Sequence, residues 1–580
     1  MKEEIKKHIE DILKELGVEN PKVNLEPTAY VDKGDYTTNV AMVYSKKLGK
    51  KPTDLAEEIR GFVEVKLPQI KIQVVAPGFI NFFFDVGYFG NVVKTIVSEK
   101  ENFGKNDSLK GQKIIIEYTD PNPFKEFHIG HLMSNSIGES ISRIIESQGA
   151  EIKRLSYGGD VGLHVAKAIF GVLARKDEID EIKNESQKAQ LSFWAQCYVF
   201  GNTRYDENEK SKKEIDDLNK TIFEKNDKEI NDLYDWGRKV SVEHFQEMFK
   251  RLDTHFDKNI WESDVLETAM KTVNTGLEKN ILENSDGAVV FKGENYGLHT
   301  RVFVNSKGLP TYEAKELGLG IKKYEMFKFD KSIVITGNEQ NEYFKVVLKA
   351  MELFKPEVSN KTVHIGHGML RFASGKMSSR LGNVITAVSL IDDVKNLVLE
   401  KMKEREMEED EKEEVAEEVA VGALRYSILK QTAGKDIIFD IENSISFEGD
   451  SGPYLQYATV RANSILKKAL NLPVGRSGEH LLKANVLAEK IPENWQTTNL
   501  ERFLERFPAV VERAGVEYAP SYIATYLIEL AGEFNSFYAS HKIIDEADVT
   551  SPYRLALTRG FVCVMTSGLN LLGIKVPKQM

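Results

Sequence analysis

From residue 114 onward the chain alternates between two kinds of segment. Strand-like IIIEY (114–118) gives way to a loop and a helical run from about Ile129, then to strand-like IKRLSY (152–157) and another helix after Gly162. Strands separated by helices can lie side by side only if the chain crosses back each time, so the pattern predicts an α/β fold with a doubly wound parallel sheet. Such a sheet gathers ligands at the carboxyl ends of its strands. Strand signals resume in GAVVF, RVFVN and SIVITG, followed by helical YFKVVLKAMELF and strand-like TVHIG. Residues 175 to about 260 are charged and helix-biased, and read as a helical insertion on this sheet (109–390).

The flanks follow other rules. Residues 1–108 predict a small α+β unit: Ile5, Ile9, Ile12, Leu13 and Leu16 form a helical stripe ending at Gly17, and IKIQVVA and INFFFDV flank a Pro77-Gly78 turn that lets them pair. From 391 to 580 the pattern is helical, and the acidic run EREMEEDEKEEVAEEVA reads as a solvated helix face. The 580 residues, 41% hydrophobic and 29% charged, supply apolar surface for two to four such domains. The two cysteines, Cys197 and Cys563, lie too far apart to suggest a disulfide framework or a thiolate metal site. No apolar run is long enough to span a bilayer, and MKEEIKKHIEDILKELGV is an amphipathic helix rather than a signal peptide, so a cytoplasmic location is expected. A net charge of -11 opposes indiscriminate nucleic-acid binding, so a nucleic-acid partner would require local basic faces.

The tetrapeptide His-Ile-Gly-His occurs twice. At 128–131 it follows the first strand and a proline-bearing loop, DPNPFKEF, and opens a helix at the carboxyl edge of the sheet. A helix N-terminus offers unpaired N–H groups and a partial positive charge, which suits phosphate. His128 and His131 can donate to phosphate oxygens as charge develops there, and Gly130 leaves room for a base or ribose against the backbone. A metal half-site and packed histidines are the competing readings, but neither an HExxH helix nor a partner cysteine accompanies the pair.

The second copy, 364–367, alternates with Val363 and Ile365 as a strand does, and predicts neighbouring scaffold. It leads into SGKMSSRLGN (374–383), where Lys376, Ser378, Ser379 and Arg380 can offer cationic and hydroxyl donors to a polyphosphate. This is not a Walker A loop, since Leu370 stands where the first glycine is required.

Together the two motifs resemble the HIGH and KMSKS signatures of class I aminoacyl-tRNA synthetases, with their Rossmann-type core. Within that class the chain is most similar to the arginyl-tRNA synthetase family, on GDYTTNVAM, APGFINFFF, EYTDPNPFKEFHIGHL, GGDVG, PTYEAKEL, GKMSSRLGN, GPYLQYATVRA, FNSFYASH and LNLLGIKVPKQM. The resemblance implies that arginine and ATP form arginyl-adenylate, and that the arginyl group passes to the terminal adenosine of tRNA(Arg). It implies catalysis by positioning and charge stabilisation at the α-phosphate, with Mg2+ on the leaving pyrophosphate.

Residue by residue, the resemblance gives ATP to His128, Gly130, His131, Met369, Lys376, Ser378 and Ser379, and arginine to Glu117, Asn122, Tyr312, Glu316 and Gln340, with Glu339 an equal match to the last. Carboxylates and a phenol suit the five fixed donors of a guanidinium. Glu316 stands where the family carries aspartate, Met133 where many relatives carry arginine, and Ser379 in place of the second KMSKS lysine. Lys125, three residues before His128, is the replacement cation. The resemblance gives tRNA bases to Tyr454, Tyr457 and Arg461, spaced i, i+3 and i+7 on one helix, and to Met580, with Asn81 and Phe84 in a D-loop-reading N-terminal domain. It also implies a monomer. The other readings are a class I synthetase for another amino acid, a non-catalytic tRNA-binding paralogue, and nucleotidyl transfer to a small molecule.

Overall fold

A computed structural model describes residues 1–28, 33–372, 386–470 and 491–580. The chain divides into two compact units, one of residues 1–103, 461–508 and 529–565, the other of 104–460, 509–528 and 566–580. Among the described residues no helix is long and apolar enough to cross a membrane.

In the first unit the stripe read from the sequence is buried as Ile5, Ile9, Ile12 and Leu13 of the helix Lys2–Glu15, which shares its core with the helix Pro52–Lys66. Both cover an antiparallel sheet of β1 (Glu26–Pro27), β2 (Tyr36–Thr38), β3 (Lys71–Val75) and β4 (Phe79–Phe83), in the order β1-β2-β4-β3. β3 and β4 form the hairpin expected around Pro77-Gly78, with Val75 opposite Phe79. Asp85 caps the next helix, Val86–Glu99, by accepting from the Tyr88 amide at 2.6 Å.

The second unit is built on five parallel strands, β5 (Lys113–Glu117), β6 (Glu151–Gly158), β7 (Lys258–Trp261), β11 (Lys331–Gly337) and β12 (Thr362–His367). Their order is β12-β11-β5-β6-β7. The chain therefore leaves β5 toward β6 and β7, then returns to β5's other side with β11 and β12, and the switch point lies between β5 and β11. GAVVF and RVFV do not join this sheet. As β9 (Ala288–Phe291) and β10 (Arg301–Val304) they pair with β8 (Glu283–Ser285) in a separate antiparallel sheet, which a turn-rich sequence with short spacings allows.

The insertion folds into the helices Ile179–Ile182, Gln187–Glu207, Glu209–Glu224 and Lys228–Arg251, but residues 258–260 belong to β7 and not to it. Its helices bury Phe193, Trp194, Cys197, Ile215 and Ile222 against Val165, Ile169 and Val172 of the helix Leu163–Leu173. A Cβ on Gly171 would lie 2.1 Å from the Cys197 carbonyl oxygen, and one on Gly201 2.0 Å from that of Lys167, so two glycines let these helix backbones meet. The acidic run is free of buried residues only up to Glu414. The helix Glu409–Leu429 buries everything from Val419 to Leu429. Beyond 390 the pattern is not purely helical either: β14 (Ile437–Phe439) pairs in parallel with β13 (Leu370–Phe372).

Candidate active site

The loop after β5 carries the site and is held in a costly shape. Thr119, Asp120 and Phe124 have φ of 78°, 47° and 66°, each worth about 1–3 kcal/mol for a residue with a side chain. The loop is fixed from two directions. The Asp120 carboxylate accepts from the Tyr157 amide (2.8 Å) and Asn122 Oδ1 from the Gly159 amide (2.7 Å), tying the loop to the end of β6. The Phe124 amide donates to Ser241 Oγ (3.0 Å), and its ring packs edge-on to Trp194. Both partners belong to the insertion, and Gly237 lacks the Cβ that would strike the Phe124 ring at 2.4 Å.

The helix Ile129–Ser147 starts at His128. Its N-terminus packs the two histidine rings face to face, 3.6 Å between centroids. The His128 amide donates to His131 Nδ1 (3.2 Å), so that nitrogen carries no proton and Nε2 is left as the donor of a neutral imidazole. Burial, then the charges of His128 and Lys125, hold His131 well below the usual histidine range. His128 is open to the cleft but walled by it, and burial with Lys125 lowers it against the opposing pull of Glu339. A Cβ on Gly130 would stand 3.0 Å from the His128 ring, so this glycine first of all makes room for that ring.

The rings face a cavity of about 360 Å³ at the switch point. Thr119, Asp120, Met133 and Ser134 form one wall, and Gly337, Glu339, His367, Gly368, Met369 and Leu370 the other. Ser134 Oγ accepts from the Thr119 amide and donates to the Ile335 carbonyl, both 2.9 Å, joining β5, the helix and β11.

The second tetrapeptide is the strand expected, but it is more than scaffold, because parallel pairing with β11 brings its end to the cavity and His367 lines it. His364 turns away, bonded to Thr336 Oγ1 (2.8 Å) and stacked on Phe344 at 4.0 Å. Lys376, Ser378, Ser379 and Arg380 lie outside the described residues. The residues flanking them do adjoin the site: Leu370 lines the cavity, Thr386 bridges to His128, and the Ala387 amide donates to the Phe127 carbonyl (2.9 Å). Lys125 sits over the Tyr198 ring of the insertion, 5.3 Å from its centroid.

Asp120 leads from this cavity to an acidic cluster. Glu117, at the end of β5, is buried and paired with the equally buried Lys323 (2.6 Å). Burial works against the Lys323 charge, but Glu117 and Glu316 outweigh it and raise its pKa. Among the described residues Glu316 forms no ion pair of its own: burial and the neighbouring Glu117 push it up to about 8 against the pull of Lys323. Asp120 is raised by burial and by Glu117 as well. Nearby, Glu262 and Lys315 form a second buried pair, with Lys315 4.4 Å from the centre of the Tyr312 ring. Tyr312 is 62% exposed, and its carbonyl accepts from Tyr343 Oη (3.1 Å). Gln340 is half-buried just before the helix Asn341–Phe354, while Glu339 lines the switch-point cavity.

Sequence reasoning did not find Asp120, Glu262, Lys315 or Lys323, and it read His367 as scaffold. Two signals were available. Lys323 is seven residues after Glu316, two helical turns on the same face, while Glu262 directly follows one strand of the sheet and His367 ends another.

The remaining candidates are placed elsewhere. Asn81 is buried on β4 and accepts from Thr37 Oγ1 (2.7 Å), and Phe84 is buried against Tyr36 and Tyr88, so these two shape the N-terminal sheet from within. Tyr454, Tyr457 and Arg461 do share the helix Gly452–Leu470. Tyr457 packs on Phe447, and Arg461 is exposed over the Tyr538 ring. Met580 is half-buried.

Comparison with known proteins agrees with this geometry. Residues 92–441 match the family model "tRNA synthetases class I (R), catalytic domain", so the sheet and its switch-point cavity are those of a class I tRNA synthetase. Residues 3–84 match the arginyl tRNA synthetase N-terminal domain, and 455–580 the DALR anticodon binding domain. The chain is 31% identical to the arginine–tRNA ligase of Limosilactobacillus reuteri over the whole of both chains. It is 30% identical to that of Clostridium acetobutylicum, covering 95% of this chain and 94% of the relative. The arginyl-tRNA synthetase structures of Thermus thermophilus (TM-score 0.79, 22% identity, all of both chains) and Plasmodium falciparum (TM-score 0.78, 19% identity, 100% and 99%) share its fold. The chain belongs to the arginyl-tRNA synthetase family.

Proposed function

We propose that the chain activates L-arginine with ATP and transfers the arginyl group to the 3′-terminal adenosine of tRNA(Arg). The carrying observation is the charge count beside the nucleotide cavity. Glu117, Asp120 and Glu316 supply three carboxyl groups against the single ammonium of Lys323, and free arginine brings a guanidinium and an α-ammonium. Glu316, which forms no ion pair among the described residues, is the seat for the guanidinium, where a planar fork can be met by two oxygens. Asn122, Tyr312 and Gln340 complete the arginine side.

On the other side, the neutral Nε2–H of His131 and the His128 ring donate to the α-phosphate as charge develops in the transition state. Gly130 and Met369 border the nucleotide. Lys376, Ser378 and Ser379 supply cationic and hydroxyl donors to the phosphates, and Lys125 adds a positive field. Mg2+ arrives on the ATP polyphosphate, since this cation keeps several waters and takes substrate phosphates as ligands.

Tyr454, Tyr457, Arg461 and Met580 serve the anticodon end, supported by the anticodon-binding match, and Asn81 and Phe84 hold the shape of a D-loop-reading domain. The domain division 1–108, 109–390 and 391–580, a monomer and a cytoplasmic location complete the proposal. Incubating the chain with ATP, a tRNA(Arg) transcript and each amino acid in turn tests it: arginine alone should be charged, and charging of another amino acid, or of none, refutes it.

A further inference from the structure

Arg425 lies in the helix Glu409–Leu429 with none of its surface exposed. Its guanidinium touches no carboxylate among the partners it bonds. It donates to the Gly573 carbonyl (2.7 Å), to the Leu252 carbonyl, to Thr254 Oγ1 (3.2 Å) and to Asn135 Oδ1 (3.3 Å). Two of these partners lie at helix C-termini. Leu252 closes the insertion's last helix, Lys228–Arg251, and Gly573 lies two residues past the helix Ser551–Leu571. Both are the negative ends of helix dipoles, which compensate a cation that bonds no carboxylate directly.

The fit around this charge is tight. A Cβ on Gly573 would come within 1.6 Å of the Arg425 guanidinium, and φ of +69° there favours glycine independently. The third partner, Asn135, is fully buried two turns into the His128 helix, and its Nδ2 donates to Thr119 Oγ1 (3.1 Å) on the cavity wall. Thr254 Oγ1 also donates to Asn135 Oδ1 (3.1 Å). The rear of the same helix is held by the same two segments: Ser140 Oγ donates to the Leu571 carbonyl (2.8 Å), and Arg143 reaches both Asn570 and Asp253.

We propose that Arg425 is a positioning residue for adenylate formation: by joining the ends of the insertion and of the C-terminal segment to Asn135, it sets where along its axis the His128 helix presents His128 and His131. This rests on the aminoacylation reading. It gives the insertion a role, since that reading needs the histidines placed to a fraction of an ångström and a displacement of about 1 Å costs of order a hundredfold.

A buried arginine that merely holds the fold would act independently of His128, whereas a positioning residue loses its effect once His128 is gone. The test is a double-mutant cycle on the full chain, with ATP, arginine and a tRNA(Arg) transcript, and turnover expressed per titrated active site. R425K is expected to lower kcat about tenfold with the KM for ATP and arginine within twofold, but to lower it less than twofold when introduced into H128N. If R425K does not fold, T254V, which removes the hydroxyl between Arg425 and Asn135, should show the same pattern with a loss of about threefold. Equal fold losses in both backgrounds, or a loss that disappears on active-site titration, overturn the assignment of Arg425 alone. A wild-type chain that charges no arginine overturns the aminoacylation reading and this one with it.

Discussion

The two ends of the cleft solve opposite electrostatic problems with the same device. At the nucleotide end, burial strips charge from His131 and lowers His128, leaving neutral donors that acquire a partner only when phosphate arrives. At the acidic end, burial and crowding raise Glu316 to about 8 and raise Asp120, leaving acids that ionise fully only when a cation arrives. In the proposed function each end is therefore unfavourable in the free protein and complementary to one half of the substrate pair. The difference is that His128 and His131 come from one tetrapeptide, whereas the acidic end is assembled from β5 and the loop after it, the residue following β7 and the helix Tyr312–Phe327.

The largest expected effect lies at the acidic end. E316Q keeps the shape and removes the charge facing the guanidinium, so kcat/KM for arginine should fall about a thousandfold, or ~4 kcal/mol, while KM for ATP changes little. The same change should stabilise the free protein. A carboxyl raised from 4.5 to about 8 contributes fully below pH 4.5 and loses that contribution as pH rises through 8. The Tm advantage of E316Q over wild type should accordingly grow from pH 6 to pH 8.5. A Tm deficit at pH 8 would show that Glu316 already has a partner, and would erase the contrast between the ends. Next in size, H128N should reduce the rate of adenylate formation about a hundredfold, the usual loss for one donor to a developing oxyanion, with arginine KM within threefold. A loss confined to KM would move His128 from the chemistry to ground-state binding.

A smaller effect separates the two ends by pH alone. Because the guanidinium requires ionised Glu316, arginine KM should fall about tenfold per pH unit below 8 and level off above it, while KM for ATP stays flat across the same range. Parallel curves for the two substrates would mean that one shared group, such as Asp120, governs both ends.

How legible each end was follows from this construction. His128, Gly130 and His131 could be read because helix periodicity, strand order and phosphate chemistry all meet in a few adjacent residues. Glu117, Tyr312 and Glu316 were reached only through resemblance to a family, and Lys323 and Glu262 were not reached at all. Their roles depend on which strand ends lie side by side, and the order β11-β5-β6-β7 is set by packing that local patterns do not encode. The same limit explains β9 and β10, whose alternation marks them as strands without saying to which sheet they belong. Phe84 shows the converse: an aromatic in a recognisable motif was assigned to a ligand, while its ring fills the core beside Tyr36 and Tyr88.

The smallest effects concern the second tetrapeptide, where two histidines three residues apart should separate. His367 lines the cavity, with Nδ1 engaged by the Gly368 carbonyl at 2.8 Å, so H367N should lower kcat/KM for ATP about fivefold. His364 reaches no ligand, and H364N should change kcat/KM by less than twofold. Its cost falls on stability, about 1 kcal/mol for the bond to Thr336 and the stack on Phe344. That cost is pH-dependent with a definite sign. Burial depresses His364 from 6.5 to about 4, so the folded state holds it neutral, and the stability it supplies is present above pH 6.5 and is lost as pH falls toward 4. The Tm gap between wild type and H364N should thus narrow between pH 6.5 and 4.5. A gap that stays constant would mean that His364 serves only as a packed ring, and a kinetic loss matching that of H128N would mean that strand and helix use the same four letters for the same chemistry.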